Sequence, residues 1–369
     1  MKDLIIIANA DSIWTKRYIE KVIIPLKLSF KIISNYNIKY KHFYRDKGII
    51  VDTLIQGEIY QHIPYIRAKI AKIKLANILL NPKAKIVNSL FVSTDIIDIL
   101  SNIKVTSKIV LTYLGSDLLR RDKKFRKKEF AAMNKASKIV VMTEDMRDFV
   151  LKNDKSFAGK SFVIDMGDST INEIDRMRNN FLDCKLKIVG EVNAGKKIVT
   201  IGYNAIPQQQ HIKVIEALMN LPTIDKQNVH LIVPLTYGRK NIQYIKDVKS
   251  ALMKSHFSYT ILEKFMNDDE MAELCLATDY FINAQTTDAF SSTMIEHIYA
   301  GSIVINADWL KYKPLINWGI KCFTFHEFDE IPKLIFDVKN ENIDRNVIKK
   351  YCGWDICMDK WEKIYNDEF

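Results

Sequence analysis

Asp288 and Glu296 are the two residues of this chain whose types and spacing most clearly suit chemistry. They flank a polar loop that follows the apolar run Asp279-Tyr280-Phe281-Ile282-Asn283 and leads into a helical stretch closed by Gly301. A strand that empties into such a loop puts it at a carboxyl edge. There the first turn of the next helix has backbone N–H groups without partners and the positive end of the helix dipole. The amides around Ser291, Ser292, Thr293 and Met294 therefore form an anion site that fits a phosphate. Asp288 before the helix and Glu296 about one turn inside it are acceptors for the hydroxyls of two polyols, one of them a ribose. An anion cradle between two such acids suits a nucleotide sugar. The plainer alternative is an N-capping Asp and a solvated helix Glu.

Several elements must position this loop. The run Ile198-Val199-Thr200-Ile201 reads as a buried strand that ends in Gly202, Tyr203 and Asn204, with Gln208, Gln209 and Gln210 ahead of a helix from His211 to Leu218. The next strand, His230 to Leu235, contains Pro234 and runs into Thr236-Tyr237-Gly238-Arg239-Lys240. Arg239 is placed to reach a diphosphate, and Tyr237 to stack on a base or sugar. A short strand, Tyr259 to Leu262, precedes Glu263, Lys264 and Phe265, and Asn267-Asp268-Asp269-Glu270 caps a helix from Met271 to Ala277.

The first half repeats the alternation. Leu4 to Ala8 is a continuous apolar run ending in Asn9-Ala10-Asp11-Ser12, with Lys16 and Arg17 in the helix behind it. Further strands are expected at Phe30 to Ser34, Ile86 to Val87, Ile109 to Tyr113, Lys138 to Met142 and Phe162 to Ile164, separated by helices. This predicts an α/β fold with doubly wound parallel sheets. No G-x-G-x-x-G follows the first strand, so a dinucleotide cofactor is not expected. Leu114-Gly115-Ser116-Asp117 leaves the strand that ends at Tyr113, where Gly115 allows close backbone approach and Asp117 serves either a ligand or a helix cap.

The loop and helix around Asp288 and Glu296 resemble the Glu-x7-Glu signature of retaining GT-B glycosyltransferases of the group 1, or family 4, type, with Asp in the first position. Members of that family build bacterial surface polysaccharides and lipid-linked glycans. The resemblance implies two Rossmann-like domains facing a cleft and a C-terminal helix crossing back onto the first. It implies that the first acid contacts the transferred sugar and the second the nucleotide ribose. Leu114-Gly115-Ser116-Asp117 is similar to the family's HG-x-D segment with Leu114 in place of the histidine, which makes Asp117 a third candidate catalytic residue. Donor binding is then expected from Gly202, Tyr203, Asn204, Pro234, Tyr237, Gly238, Arg239, Thr287, Phe290, Ser291, Ser292, Thr293 and Glu296. Acceptor contacts are expected from Asn9, Asp11, Lys16, Arg17, Gly115 and Ser116. The run VPLTYG from Val233 to Gly238 also resembles a segment of the lipid-linked acetamido-dideoxygalactose transferases, which leaves the stereochemistry open. No Asp-x-Asp pair follows a strand, so neither metal nor cofactor is expected.

With 369 residues the chain exceeds what one core organises, so two domains are expected: 1–187 with a C-terminal helix at 351–369, and 196–350. The connection is placed at Asp183 to Lys197, where Gly190 and Gly195 punctuate a polar run. Met1 to Asn180 holds 33 Lys and Arg against 19 Asp and Glu, and the remainder 22 against 25. The basic half points to an anionic partner: nucleic acid, an anionic lipid surface, or an anionic acceptor such as a lipid diphosphate. Tyr65 to Leu80, with Ile66, Ile70, Ile73 and Asn77 on one stripe, is either a membrane-surface helix or a helix packed on the sheet. Arg120 to Lys128 holds seven basic residues among nine and reads as a membrane-facing patch; no module signature supports nucleic acid. The aromatics Trp354, Trp361 and Tyr365 suit packing of the last helix.

Five scattered cysteines, the absence of a leader pattern and the lack of any long apolar span point to a cytoplasmic protein, peripheral at the inner membrane face. The expected activity is sugar transfer from a nucleotide sugar to a glycan or lipid-linked glycan. The alternatives are a nucleotide-sugar epimerase and a basic binding protein.

Overall fold

The computed structural model describes residues 2–34, 41–55, 64–105, 107–288, 290–337 and 343–366. The chain divides into two compact units, Met1–Gly167 with Asp355–Phe369, and Asp168–Trp354. The passage between them lies at Gly167 and Asp168 rather than at Asp183 to Lys197. That stretch is instead helical, with Gly190 (φ 74°) closing the helix Phe181–Val189 and preceding a short helix at Glu191–Ala194. Gly190 and Gly195, which read as linker punctuation, are here helix ends; the positive φ of Gly190 costs glycine little, while Gly195 keeps a right-handed backbone (φ −80°).

The first unit is built on a parallel sheet of β1 (Lys2–Ile7), β2 (Phe30–Ser34), β3 (Val51–Thr53), β4 (Ala84–Leu90), β5 (Lys108–Tyr113), β6 (Lys138–Val141) and β7 (Ser161–Val163). Its order is β3-β2-β1-β4-β5-β6-β7. The second sheet contains β8 (Lys197–Ile201), β9 (Val229–Pro234), β10 (Ser258–Leu262), β11 (Tyr280–Asn283), β12 (Ile303–Ala307) and β13 (Phe323–Phe325), ordered β10-β9-β8-β11-β12-β13. All strand pairings in both sheets are parallel. Continuous runs such as Leu4 to Ile7 and Val229 to Val233 are buried on both faces because helices cover both sides.

The last helix, Trp354–Asn366, crosses to the first unit, which takes in the chain from Asp355 on; residues 367–369 of the expected C-terminal segment lie outside the described residues. Trp361 is fully buried, donates Nε1–H to the Asp165 carbonyl at 2.9 Å, and meets Tyr18 edge-on at 5.1 Å. Asn88 Nδ2 donates to the hydroxyls of Tyr18 (2.9 Å) and Tyr365 (2.7 Å), so the buried phenols have partners.

In the helix Pro64–Leu80 the buried positions are Leu75 and Leu79. The stripe read from the sequence is not the packed one, since Ile66 and Ile73 are exposed. Among the described residues no helix is long and apolar enough to cross a membrane.

Candidate active site

In an open parallel sheet, neighbouring strands whose connections leave in opposite directions have diverging loops and a crevice at their carboxyl ends. In the second sheet those strands are β8 and β11: the chain runs from β8 outward to β9 and β10, and from β11 the other way to β12 and β13. The loop after β8 is Gly202 to Gln210, and the loop after β11 is the one carrying Asp288.

Gly202 donates its N–H to the Ile282 carbonyl at 3.1 Å and adopts φ 62°. A Cβ there would lie 2.6 Å from Gln209 Oε1 and 2.9 Å from His211 Nε2. Both His211 Nε2 and Gln209 Nε2 are buried without a hydrogen-bond partner among the described residues. Burial pushes the His211 imidazole down to about 3, so it is neutral, and its Nδ1 pairs with the Tyr244 hydroxyl at 3.0 Å. Asn204 is buried and accepts from the Ile206 N–H at 3.0 Å. Ala205 N–H donates to the Tyr237 carbonyl at 2.8 Å, which joins this loop to the one after β9.

The β11 loop is laced to its neighbours in the same way. Gln210 Nε2 donates to the Ala284 carbonyl at 2.7 Å and Thr286 N–H to the Gln208 carbonyl at 2.9 Å. Gln285 Nε2 reaches both the Tyr203 hydroxyl (2.7 Å) and Asp288 Oδ2 (3.1 Å). Tyr312, from the loop after β12, donates to the same carboxylate oxygen at 3.0 Å, and Asn283 Nδ2 donates to Tyr312 at 3.0 Å. Burial and the Asp288 charge raise both the Tyr203 and Tyr312 phenols far above their ordinary value, so both remain protonated donors.

The helix after this loop runs Ser292–Ala300, with Ser291 as N-cap accepting from Met294 N–H at 3.2 Å and Gly301 (φ 110°) as C-cap. Ser292 and Thr293 are half-buried in its first turn, and Thr287 is exposed. Glu296 is only 4 % exposed, so the expectation of a solvated helix glutamate does not hold. After burial, the charges of Glu296 and then Asp288 raise the Tyr237 phenol, which puts both acids within electrostatic reach of that ring. Phe290 packs edge-on to Tyr312 (6.0 Å) and Trp318 (5.8 Å). Tyr237 lies 6.4 Å from Tyr203 and 6.4 Å from Phe265, an exposed ring. Pro234 ends β9, and Gly238 (φ 73°) has Ile206 Cγ2 2.6 Å from where a Cβ would be.

Two residues are used differently from what their positions suggest. Arg239 directs its guanidinium to the Leu235 carbonyl and to Glu263, both at 2.6 Å, so the cation expected at a diphosphate is paired with a carboxylate. Asp117 is 6 % exposed and accepts from the backbone N–H of Val92, Leu114 and Gly115, each at 2.9 Å. Burial, the larger effect, raises its carboxyl against the pull of those amides. Its geometry is that of a brace joining the loops after β4 and β5, not of a group presented to substrate.

Asn9, Asp11 and Gly115 stand in the loops after β1 and β5, Lys16 and Arg17 in the helix Ile13–Tyr18, and Ser116 at the start of the next helix after β5. Asn9 Oδ1 accepts from Asp11 N–H at 3.1 Å, and Lys16 Nζ lies 5.5 Å from the Phe43 ring centre. Gly115 has φ 131° and Ser116 begins the short helix Ser116–Leu119. Asp268 and Asp269 occupy the first turn of the helix Asp268–Ala277, capped reciprocally by Asn267 and Glu270 as the sequence indicates.

Gln285, Tyr312 and Trp309, whose Nε1–H holds the Gln285 carbonyl at 2.7 Å, were not anticipated. One signal pointed toward them. β11 ends in Ile282-Asn283 and β12 carries Ile305-Asn306 one residue before its end, and Asn283 and Asn306 are register partners joined at 2.9 Å. Two amides at or next to the ends of buried strands mark a polar floor.

No protein-family model and no curated protein matches the chain. Solved structures do. A glycosyltransferase from Rickettsia africae is similar at 17% identity over 99% of this chain and 98% of its own, with a TM-score of 0.73. Anabaena HepE, solved in complex with UDP-glucose, is similar at 14% identity over the whole of both chains, TM-score 0.68. Sucrose-phosphate synthase from Thermosynechococcus elongatus is similar at 11% identity over 100% and 99%, TM-score 0.67. The fold, with its two parallel α/β units and returning C-terminal helix, is that of the GT-B glycosyltransferases.

Proposed function

We propose that this protein is a glycosyltransferase that takes a nucleotide sugar into the β8/β11 crevice of its second unit. The observation that carries the reading is the coupling of the loops after β8, β11 and β12 through Gln285, Tyr203, Asp288 and Tyr312. Asp288 accepts from sugar hydroxyls, and Glu296 accepts from the ribose. The amides of Ser291 to Thr293 and the helix dipole hold the diphosphate, taking part of the charge that Arg239 does not supply. Tyr237 and Phe265 offer exposed rings to the base. Catalysis is then positioning plus stabilisation of a leaving diphosphate, without metal and with retention at the anomeric carbon. That Anabaena HepE was solved with UDP-glucose makes a uridine nucleotide the first donor to test.

Acceptor binding belongs to the first unit, at the loops with Asn9, Asp11, Lys16, Arg17, Gly115 and Ser116. A glycan on a lipid diphosphate suits that unit, which carries 33 Lys and Arg against 21 Asp and Glu. The helix Pro64–Leu80 exposes Tyr65, Ile66 and Ile73 beside Lys69 and Lys74, a mixed face for an anionic membrane at the cytoplasmic side. The run Arg120 to Lys128 contributes less than its charge suggests, because Arg121 and Arg126 are paired with Glu129, and Lys128 with Asp98.

Calorimetric titration with UDP, GDP and their sugars tests the reading. One nucleotide should bind, with affinity about tenfold weaker in Glu296→Gln, while Asp288→Asn should bind the nucleotide but lose sugar transfer by about a hundredfold or more. Failure of every nucleotide sugar to bind, or binding indifferent to both variants, sinks the assignment.

A further inference from the structure

The amino-terminal edge of the second sheet, opposite the loops just described, holds an open pocket of about 670 Å3 where β8, β11 and β12 begin. That is within the size range of small-ligand sites, about 300–1,000 Å3. Arg178, Lys185, Lys196, Lys197 and Arg345 line it against a single carboxylate, Asp279. The second unit as a whole carries 22 Lys and Arg against 23 Asp and Glu, so this clustering is not a sample of its average surface.

The hydrogen bonds of these cations leave most of their charge in place. Lys185 is paired with Asp279 at 2.8 Å. The others turn mainly to neutral oxygens: Arg178 to the Tyr299 and Ala300 carbonyls (2.9 and 3.1 Å), Arg345 to the Tyr299 carbonyl (3.0 Å), Lys196 to Ser258 Oγ (2.9 Å) and Lys197 to the Ile335 carbonyl (3.0 Å). Arg178 also has Asp175 at the longer distance of 3.7 Å. A carbonyl satisfies a donor without cancelling its charge. Burial and the nearby Arg178 guanidinium hold Arg345 below its ordinary value, the mark of like charges kept together.

We propose that this pocket binds a small soluble phosphorylated anion, a diphosphate or phosphate ester, with Arg178 and Arg345 as the central guanidiniums and Lys196 at the rim. Planar guanidiniums suit phosphate oxygens in paired hydrogen bonds, and the lysines add charge from the sides. The occupant competes with the Tyr299 and Ala300 carbonyls for the two arginines. Those carbonyls close the helix that bears Glu296, so binding acts on that helix from the end opposite its first turn.

The test is a titration of inorganic pyrophosphate into the full-length protein saturated with UDP, which fills any diphosphate site in the β8/β11 crevice. One-to-one binding is expected, weakened about tenfold or more in Arg345→Gln and in Lys196→Gln. Lys196 makes one hydrogen bond to a serine, so its variant keeps the fold if loss of Arg345 disturbs the helix end; circular dichroism checks both. Absence of binding at millimolar pyrophosphate, or affinity unchanged in both variants, overturns the proposal. Co-sedimentation with phosphatidic acid vesicles that is lost in Arg345→Gln, without a response to pyrophosphate, also overturns it by moving the phosphate to a lipid headgroup. Should neither UDP nor any other nucleotide or nucleotide sugar bind, the nucleotide-sugar reading fails, while the comparison of variants with pyrophosphate still decides this one.

Discussion

Gly202 shows how little room the site leaves around its backbone. Its φ of 62° is open to glycine and strained for other residues, and the space where a Cβ would point is occupied by Gln209 Oε1 and His211 Nε2 at 2.6 and 2.9 Å. Gln209 Oε1 accepts from Tyr203 N–H at 3.3 Å, so pushing it aside also releases the residue whose hydroxyl takes the Gln285 hydrogen bond. Gly202→Ala should therefore destabilise the second unit by about 1–3 kcal/mol and weaken nucleotide binding as well. Urea unfolding followed by titration separates the two effects. A variant as stable as the parent would show that the loop shifts freely and that Gln209 does not fix it. Gly195, with nothing within 4 Å of its Cβ position, is the contrasting control.

Among the elements, the segment after β5 depends on buried charge. Glu129 is fully buried in the helix Arg126–Lys135, where Arg121 Nε and Arg126 Nη1 each meet it at 2.7 Å. Arg121 also donates to the Val92 carbonyl at 2.6 Å, while Asp117 holds the Val92 N–H. The loop after β4 is thereby clamped on both sides of one peptide residue. Removing one partner of a buried ionic group costs far more than the group contributes, because it leaves uncompensated charge behind. Glu129→Ala should lower the stability of the first unit by about 3–5 kcal/mol. Lys127→Ala, at an exposed position four residues beyond Lys123, should change it by less than about 0.5 kcal/mol. Equal effects of the two in chemical denaturation would show that the pairing is incidental. Sequence periodicity told of a dense basic run but not that a glutamate at its end would draw two of its arginines inward. Strands β1, β8, β9 and β11 were legible because continuous apolar runs ended in Gly, Asn or Pro. Strand β3, three half-buried residues at the sheet edge, carried no pattern to detect, nor did β13. The acids of the site stood in plain view on either side of a helix start. Tyr312 did not, because it reaches Asp288 from the loop of the next strand, and that proximity comes from the order of strands rather than from spacing along the chain.

For the whole molecule, the two units differ in how they should respond to acid. The second contains His211 and His297, both fully buried and held near 3, and His230, buried and held near 4, in each case chiefly by burial. The described histidine of the first unit, His42, is exposed. A histidine whose folded pKa lies below its unfolded value is protonated more readily in the unfolded chain. Stability then falls as pH drops below about 6.5, with a slope of about 1.4 kcal/mol per pH unit for each such group, and the loss levels off near the folded value. Between pH 7 and pH 5, His211 and His297 alone should remove on the order of 4 kcal/mol from the second unit. The window lies above the range where most carboxylates titrate, so the histidines dominate it. His326, exposed and raised by the Asp308 carboxylate, works in the opposite sense but in open solvent, where such a pairing contributes little. Because each unit has its own core, calorimetry should show an endotherm that moves down steeply from pH 7 to pH 5 and a second that moves much less. His297→Leu keeps an apolar group against Phe281, on which the imidazole stacks at 4.3 Å, and removes one titration. It should reduce the slope of the acid-sensitive transition by about 1.4 kcal/mol per pH unit. A slope unaltered in that variant and in His211→Asn would mean that the buried imidazoles do not set the acid limit of the second unit.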